Sequence, residues 1–289
     1  MSGRTLSITA AAVFVLIVLA GFLSDTLDAM SWPCEGAGLI RNFGSNNSGI
    51  PTLGMVFAGN TDVLAAEKGE VIFSRGRDDT ASRLPSPLGA WTAIDHEDGL
   101  ISIYCRYSDE NRAFTQVEKS QPIASSGISG WSAQNGFYFI VYDRRERRWI
   151  NPAMIVTPPR ESGLPQILSV ELRNTQGLPV QSRNLSQGRY TILVNTTTAA
   201  RGAVLAPQRI VCSVNGAEVG SLNFEAVSAR DGVLMVYRNG LVPARQVYAN
   251  FPAFETADVF LNRGQVNLEV IVQDMAGNSR SVINRLIIN

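Results

Sequence analysis

A single imidazole, His96, serves the whole chain of 289 residues. It stands in Ile94-Asp95-His96-Glu97-Asp98-Gly99, so carboxylates flank it on both sides. A Ser–His–Asp relay would need a carboxylate aimed at the ring, but Asp95, its neighbour in a strand, projects to the opposite sheet face. A hydrolytic zinc centre takes about three protein ligands, mostly imidazole and carboxylate, and leaves a position open for water. One histidine cannot supply a set of several. A structural role, with the ring bonded to a nearby backbone group, is the expectation for His96. Carboxylates are numerous enough for a paired-acid glycosidase, yet no spacing singles out a pair. Gly127-Ile128-Ser129-Gly130 is too short for a phosphate loop and lacks the lysine and helix that would follow. Of the three cysteines, Cys34 and Cys105 fall in one expected domain and form a candidate disulfide in an oxidising compartment. Cys212, inside R-I-V-C-S-V, reads as a buried strand thiol.

Residues 91–143 supply the frame for these groups. W-T-A-I-D-H-E-D-G-L-I-S-I-Y-C-R-Y opens the stretch, Q-P-I-A-S-S-G-I-S-G follows at 121–130, and G-F-Y-F-I-V-Y-D closes it. Residues 91–94 alternate weakly, Glu97-Asp98-Gly99 carries turn chemistry, and residues 100–104 run apolar and β-branched, as strand, turn and strand do. Two glycines among serines at 121–130 predict a tight, exposed loop. Residues 136–142, nearly all aromatic or β-branched, belong in the middle of a sheet. The cluster Arg144-Arg145-Glu146-Arg147-Arg148 reads as a solvated hairpin tip.

The order of these segments resembles the lysostaphin-like (LytM, peptidase M23) domain of zinc endopeptidases that cut peptidoglycan cross-bridges. That family runs "I-x-H-x-x-G", "Y-x-H", a loop "G-Q-x-I-(A/G)-x-x-G-x-(S/T)-G" and a core strand with "H-x-H". Here the matching segments are residues 94–99, 104–106, 120–130 and 136–138. Ile40-Arg41-Asn42-Phe43-Gly44 resembles the family's opening, residues 63–71 its "V-x-A-x-x-x-G-x-V" hairpin, with Gly69 expected as a turn residue of positive φ, and Asn151-Pro152 its closing segment. The resemblance therefore covers roughly residues 39–155. It implies zinc ligands at the positions held here by Thr52, Val56 and Tyr138, and further histidines at Gly136 and Arg106. The scaffold motifs survive and the chemical ones do not. The resemblance thus implies a groove without its catalyst, lined by Thr52, Val56, Arg106, Gly136 and Tyr138, with His96 and Trp131 nearby. No metal and no cofactor are expected. Arg106 would pair either with an internal carboxylate or with a carboxylate of a ligand.

The remainder of the chain sets the context. Hydrophobic content of 45%, charged content of 17% and a formal net charge of +0 describe a folded, fairly apolar protein with no bulk attraction to nucleic acid. Arg4 precedes an apolar run at residues 6–23, about 27 Å long as a helix and close to hydrocarbon thickness. It is long for a cleaved signal, so residues 1–30 are read as a signal anchor, with a signal peptide as the alternative; either sends the body out of the cytoplasm. Residues 31–156 form the LytM-like domain, with an irregular polar loop at 78–89. Residues 157–166, with Pro158, Pro159 and Pro165, form a semi-rigid linker expected to space the flanking domains. Beyond it, short β-type runs at 167–172, 190–194, 208–214, 217–224, 232–236, 266–272 and 282–288 argue an immunoglobulin-like sandwich over 167–289. Asp274 and Asn278 are expected to hold a turn through side-chain bonds. The aromatic segment 251–260 reads as a loop that forms either a surface patch or a plug over the sandwich end. The fold class is all-β: an N-terminal apolar helix, a LytM-like β-sheet domain, then an Ig-like β-sandwich. The expected location is periplasmic or otherwise outside the cytoplasm, on the inner membrane. The expected function is non-catalytic binding of a cell-wall hydrolase, another envelope protein or peptidoglycan stem peptide. An envelope scaffold acting through the sandwich is the alternative, and an active hydrolase ranks below both.

Overall fold

The computed structural model describes residues 29–76, 85–108, 114–156, 163–180, 182–200 and 203–289. The expected apolar helix at 6–23 and most of the expected linker lie outside them. Among the described residues no helix is long and apolar enough to cross a membrane.

The main strands of the first half are β1 (Gly38–Arg41), β2 (Gly54–Ala58), β3 (Asp62–Leu64), β4 (Gly69–Arg75), β5 (Ala90–Asp95), β6 (Leu100–Ser108), β7 (Pro122–Ser126), β8 (Gly136–Asp143) and β9 (Arg148–Ile150). Strand β8 is the axis. Its sequence is aromatic or aliphatic up to its final Asp143 because both of its faces are covered, with every residue from Gly136 to Val141 buried. It pairs antiparallel with β2 on one edge and β6 on the other, which gives the order β1-β2-β8-β6-β5-β4. One face carries Met55, Phe57, Ile94, Tyr104, Phe137, Phe139 and Val141, the main core of this half. Phe57 stacks on Phe137 at 4.7 Å between centroids, and Tyr104 packs on Phe139 at 5.2 Å while its hydroxyl accepts the Ala66 N–H. Each such ring taken from water contributes roughly 2–3 kcal/mol before entropy is counted.

The second half contains β10 (Gln166–Arg173), β11 (Gly188–Ala200), β12 (Arg209–Val214), β13 (Ala217–Arg230), β14 (Val233–Arg238), β15 (Ala253–Leu261), β16 (Gly264–Gln273) and β17 (Ser279–Ile288). One antiparallel layer runs β10-β11-β15 and the other β14-β13-β12-β16-β17. Between them lies a core that includes Ile192, Val194, Phe254 and Leu261 from the first layer and Ile210, Leu222, Phe224, Leu268 and Val270 from the second. The segment expected as an aromatic loop is therefore largely strand β15, whose alternating pattern buries Phe254 and Val259 and exposes Phe260. As expected, Asp274 holds a turn, its carboxylate accepting the Ala276 and Asn278 N–H groups and the Asn278 amide.

Three other expectations need correction. Residues 122–126, half of the expected loop, are strand β7, which pairs with β3 and β6. The 63–71 stretch is not a hairpin, because β3 pairs with β7 whereas β4 pairs with β5. Gly69 has no positive φ; a Cβ there would stand 2.5 Å from the Asp95 carbonyl oxygen and 2.9 Å from His96 Nδ1, so close approach demands the glycine.

The two halves are fused rather than spaced. Strand β13 pairs along one edge first with β12, within the sandwich, and then with β9 from the first half (Arg148↔Ser228, Trp149↔Val227, Ile150↔Ala226). The Asn42 amide donates to the Ala206 carbonyl and accepts the Ala206 N–H, both at 2.8 Å, and Asn151 bonds the carbonyls of Phe224 and Glu225. Phe43 lies fully buried in the sandwich core. Gly44, at φ 82, gives its carbonyl to the Tyr248 hydroxyl, and a Cβ on it would meet the Phe224 ring at 2.6 Å. The Asn-Phe-Gly and Asn-Pro segments are thus the seam between the halves.

Candidate functional site

The face of the first sheet opposite its main core carries a second, smaller cluster of Cys105, Tyr138 and Ile140, joined by Val56, Leu88, Trp91, Ile103 and Trp149. Register places Val56, Tyr138, Cys105 and Trp91 in one row across four strands. Trp91 extends that row by stacking on the half-exposed Phe73, centroids 4.3 Å apart. Period-2 alternation from Tyr138 would have found Ile140, and register from β8 would have added Ile103 and Cys105; Trp91, Leu88 and Phe73 come from pairings that a single sequence does not reveal.

Arg106 enters this row through a local irregularity. Between β5 and β6 the register passes from Ala90↔Tyr107 to Trp91↔Cys105, leaving Arg106 without a partner. That is a β-bulge, and Arg106 occupies it at φ 67, a left-handed conformation that costs a non-glycine residue about 1 kcal/mol or more. Its N–H donates to the Leu88 carbonyl at 2.8 Å. The bulge re-aims the side chain so that the guanidinium carbon stands 5.2 Å from the centroid of the Tyr138 ring. The Nε of Arg106 is buried without a hydrogen-bond partner, and no ion pair with a carboxylate forms among the described residues. The expected internal carboxylate partner is therefore not found; an aromatic face takes its place.

The remaining expected site residues divide. Val56 pairs directly with Tyr138. Thr52 is 7% exposed, and its hydroxyl is buried without a partner; the next residue, Leu53, donates its N–H to the Tyr138 hydroxyl at 2.9 Å. Gly136 adds no functional group, since a Cβ there would fall 1.9 Å from the Phe57 carbonyl oxygen. His96 does not join the row. It is buried elsewhere, with Nδ1 2.7 Å from the Lys68 carbonyl oxygen and Nε2 2.9 Å from the Ser102 hydroxyl, so both ring nitrogens are satisfied. Trp131 is 76% exposed on the loop after β7, its N–H bonded to the Pro87 carbonyl. Cys34 and Cys105 do not form a disulfide: both are free, one in the main core and the other in the cluster on the opposite face, with the sheet between them.

The chemistry of this row follows from its donors. Burial pushes the Cys105 thiol up to about 12, with the Arg106 charge opposing, and burial likewise raises the Tyr138 phenol. The positions where the resemblance implies zinc ligands hold a threonine hydroxyl, a valine and a protonated phenol, with a guanidinium where imidazole would stand beside the water. A cation beside neutral oxygen donors does not fit zinc, which takes thiolate, imidazole or carboxylate. Among the described residues no cluster of three or more His, Cys, Asp or Glu is placed to hold a metal. What the row offers is an apolar, aromatic floor with one half-buried cation whose hydrogen-bonding capacity is unused.

Residues 51–152 match the profile of peptidase family M23, and a second family profile matches residues 164–289. An uncharacterized protein of Treponema pallidum (strain Nichols) is 25% identical over 143 residues, covering 44% of this chain and 96% of its own length. Among solved structures, the chain is similar to the catalytic domain of EnpA, a prophage-encoded M23 protein of Enterococcus faecalis, at 20% identity and a TM-score of 0.35, over 41% of this chain and 90% of that one. It is similar to a chain of the SpoIIQ–SpoIIIAH pore-forming complex at 19% identity and a TM-score of 0.37, over 47% and 95%. It is similar to lysostaphin, an antimicrobial peptidase of Staphylococcus simulans, at 17% identity and a TM-score of 0.34, over 69% and 82%.

Proposed function

We propose that this chain is a non-catalytic envelope protein whose M23-like module binds where its relatives cut. The groove would take a peptide carboxylate, presented by an envelope protein such as a wall hydrolase or by a cell-wall stem peptide. The observation that carries this reading is Arg106, held by a bulge over Tyr138 with its Nε unpaired, at a position where the family places a histidine. A guanidinium presents a planar fork that matches a carboxylate, and a half-buried site strengthens such a pair. Tyr138, Trp91 and Phe73 would support the apolar part of the ligand beside it.

The test is a titration of the purified protein with short peptides ending in a free or an amidated C-terminus, alongside a crosslinking pulldown from intact envelopes. Free-acid peptides should bind better than amides, and Arg106→Ala should abolish the difference, a loss of about tenfold or more for a charge-assisted bond. Arg106→Lys should recover only part of it, because an ammonium lacks the fork. Metal-dependent release of muropeptides from peptidoglycan by the pure protein would overturn the proposal. The scaffold reading, in which the sandwich carries the interaction, gains support from the seam, where the two halves meet through strand pairing and a shared aromatic contact at Phe43.

A further inference from the structure

The sandwich is open along one side. Between β10 of one layer and β17 of the other lies a cleft of about 480 Å³, lined by apolar residues such as Leu172, Ile283 and Leu286 and by the polar Ser182, Arg183, Asn284 and Arg285. Leu172, Leu268 and Leu286 belong to the sandwich core and are buried, so the apolar surface that the cleft offers is that of the partly buried Val170 and Val180 and the exposed Ile283. Strand β17 borders it as an edge. It pairs with β16 along its whole length, but on its outer side only its last residues are met, where Ile287 N–H bonds the Arg183 carbonyl and Asn289 N–H bonds the Leu185 carbonyl. Odd-numbered residues therefore turn their N–H and C=O groups outward. The register with β16 has no bulge, so the same alternation points the backbone groups of Ser281, Ile283 and Arg285 outward, where no strand of the described residues meets them. Neither Arg183 nor Arg285 forms an ion pair among the described residues.

We propose that this edge is an interaction surface for an extended acidic segment of a partner protein, added as a further strand beside β17. Three features point to that occupant. The unpaired backbone groups supply a ladder about 17 Å long over the five residues from Ser281 to Arg285. The cleft offers the partly buried Val170 and Val180 to alternate apolar side chains of the added strand. The unpaired guanidinium groups of Arg183 and Arg285 select carboxylates on the residues between them. A long edge with exposed Ile283 and Ile287 is otherwise a site for indiscriminate pairing, which a specific occupant would prevent. This site is independent of the groove around Arg106, and either can fail without the other.

The full-length chain should be titrated with an acetylated nonapeptide alternating valine with glutamate, and with its valine–lysine counterpart. The glutamate peptide should bind at least tenfold more tightly and slow hydrogen exchange at the amides of Ser281, Ile283 and Arg285. Ile283→Pro removes an outward N–H at an edge where proline is tolerated, and should abolish binding with little change in melting temperature. Arg285→Glu, which keeps the backbone intact, should erase or invert the preference between the two peptides. Equal binding of both peptides, no binding of either, or unchanged preference in Arg285→Glu would overturn the proposal. So would concentration-dependent self-association that Ile283→Pro abolishes, because the occupant would then be a second copy of the chain.

Discussion

The one histidine is a structural bolt, and its surroundings say what removing it does. His96 joins the Lys68 carbonyl to the Ser102 hydroxyl in a buried site. His96→Ala should leave both groups without partners and cost roughly 2–4 kcal/mol, read from urea denaturation, while the surviving folded protein binds its ligands unchanged. A loss of binding with stability intact would contradict that assignment. The histidine's role was legible in the sequence because one imidazole cannot make a catalytic set. The aim of Arg106 was legible from the family resemblance, which placed it in the groove, and not from strand alternation. A strand read with regular alternation puts Arg106 on the face opposite Cys105, and only the bulge brings both toward Tyr138. The supposed Cys34–Cys105 pair failed for a related reason: composition and compartment allow a disulfide, whereas the side of the sheet each thiol occupies forbids it.

At the scale of elements, β13 and the loop around Gly44 decide how the halves meet. A Cβ at Gly44 would combine a left-handed backbone with overlap of the Phe224 ring, so Gly44→Ala should destabilise the protein by roughly 2–4 kcal/mol. Calorimetry should show the sandwich losing stability together with the sheet domain, although the substitution lies in the latter; a shift confined to one of two separate transitions would refute the seam. The strands of both halves were largely readable from period and turn residues, and β8 stands where its aromatic run placed it. The seam was not readable. Asn42, Phe43, Gly44 and Asn151 look like fold motifs of one domain, and nothing local records that their partners are Ala206, Phe224, Glu225 and Tyr248, from about 70 to more than 200 residues further on. Strand β13 likewise reads as ending near Phe224, because its later residues alternate less cleanly than its first.

For the whole molecule, the buried acids predict how stability depends on alkali. Burial pushes Tyr104 and the thiols of Cys34, Cys105 and Cys212 up to about 12, and raises the phenols of Tyr138 and Tyr248. Each group is neutral when protonated, and its folded pKa lies above the unfolded one, near 9 for a thiol and 10 for a phenol. The folded state therefore holds these protons more tightly, so their contribution is complete below about pH 9 and declines as pH climbs toward 12. Melting temperature should be flat across neutral pH with respect to these groups and fall steeply above about 9. Because titrating groups sit in both halves and the halves interlock through Phe43 and the β9–β13 pairing, one transition should be seen throughout; two transitions at high pH would mean that the seam opens first.

Strand β13 also determines how the molecule carries tension. A pull exerted on the sandwich reaches the first sheet through the pairing of β13 with β9 at Arg148, Trp149 and Ile150. A pull along these strands loads their neighbouring hydrogen bonds in shear, so they rupture together, whereas a pull across them peels them apart one by one. Partners docked on the two halves would then be coupled through this pairing as well as through the covalent chain.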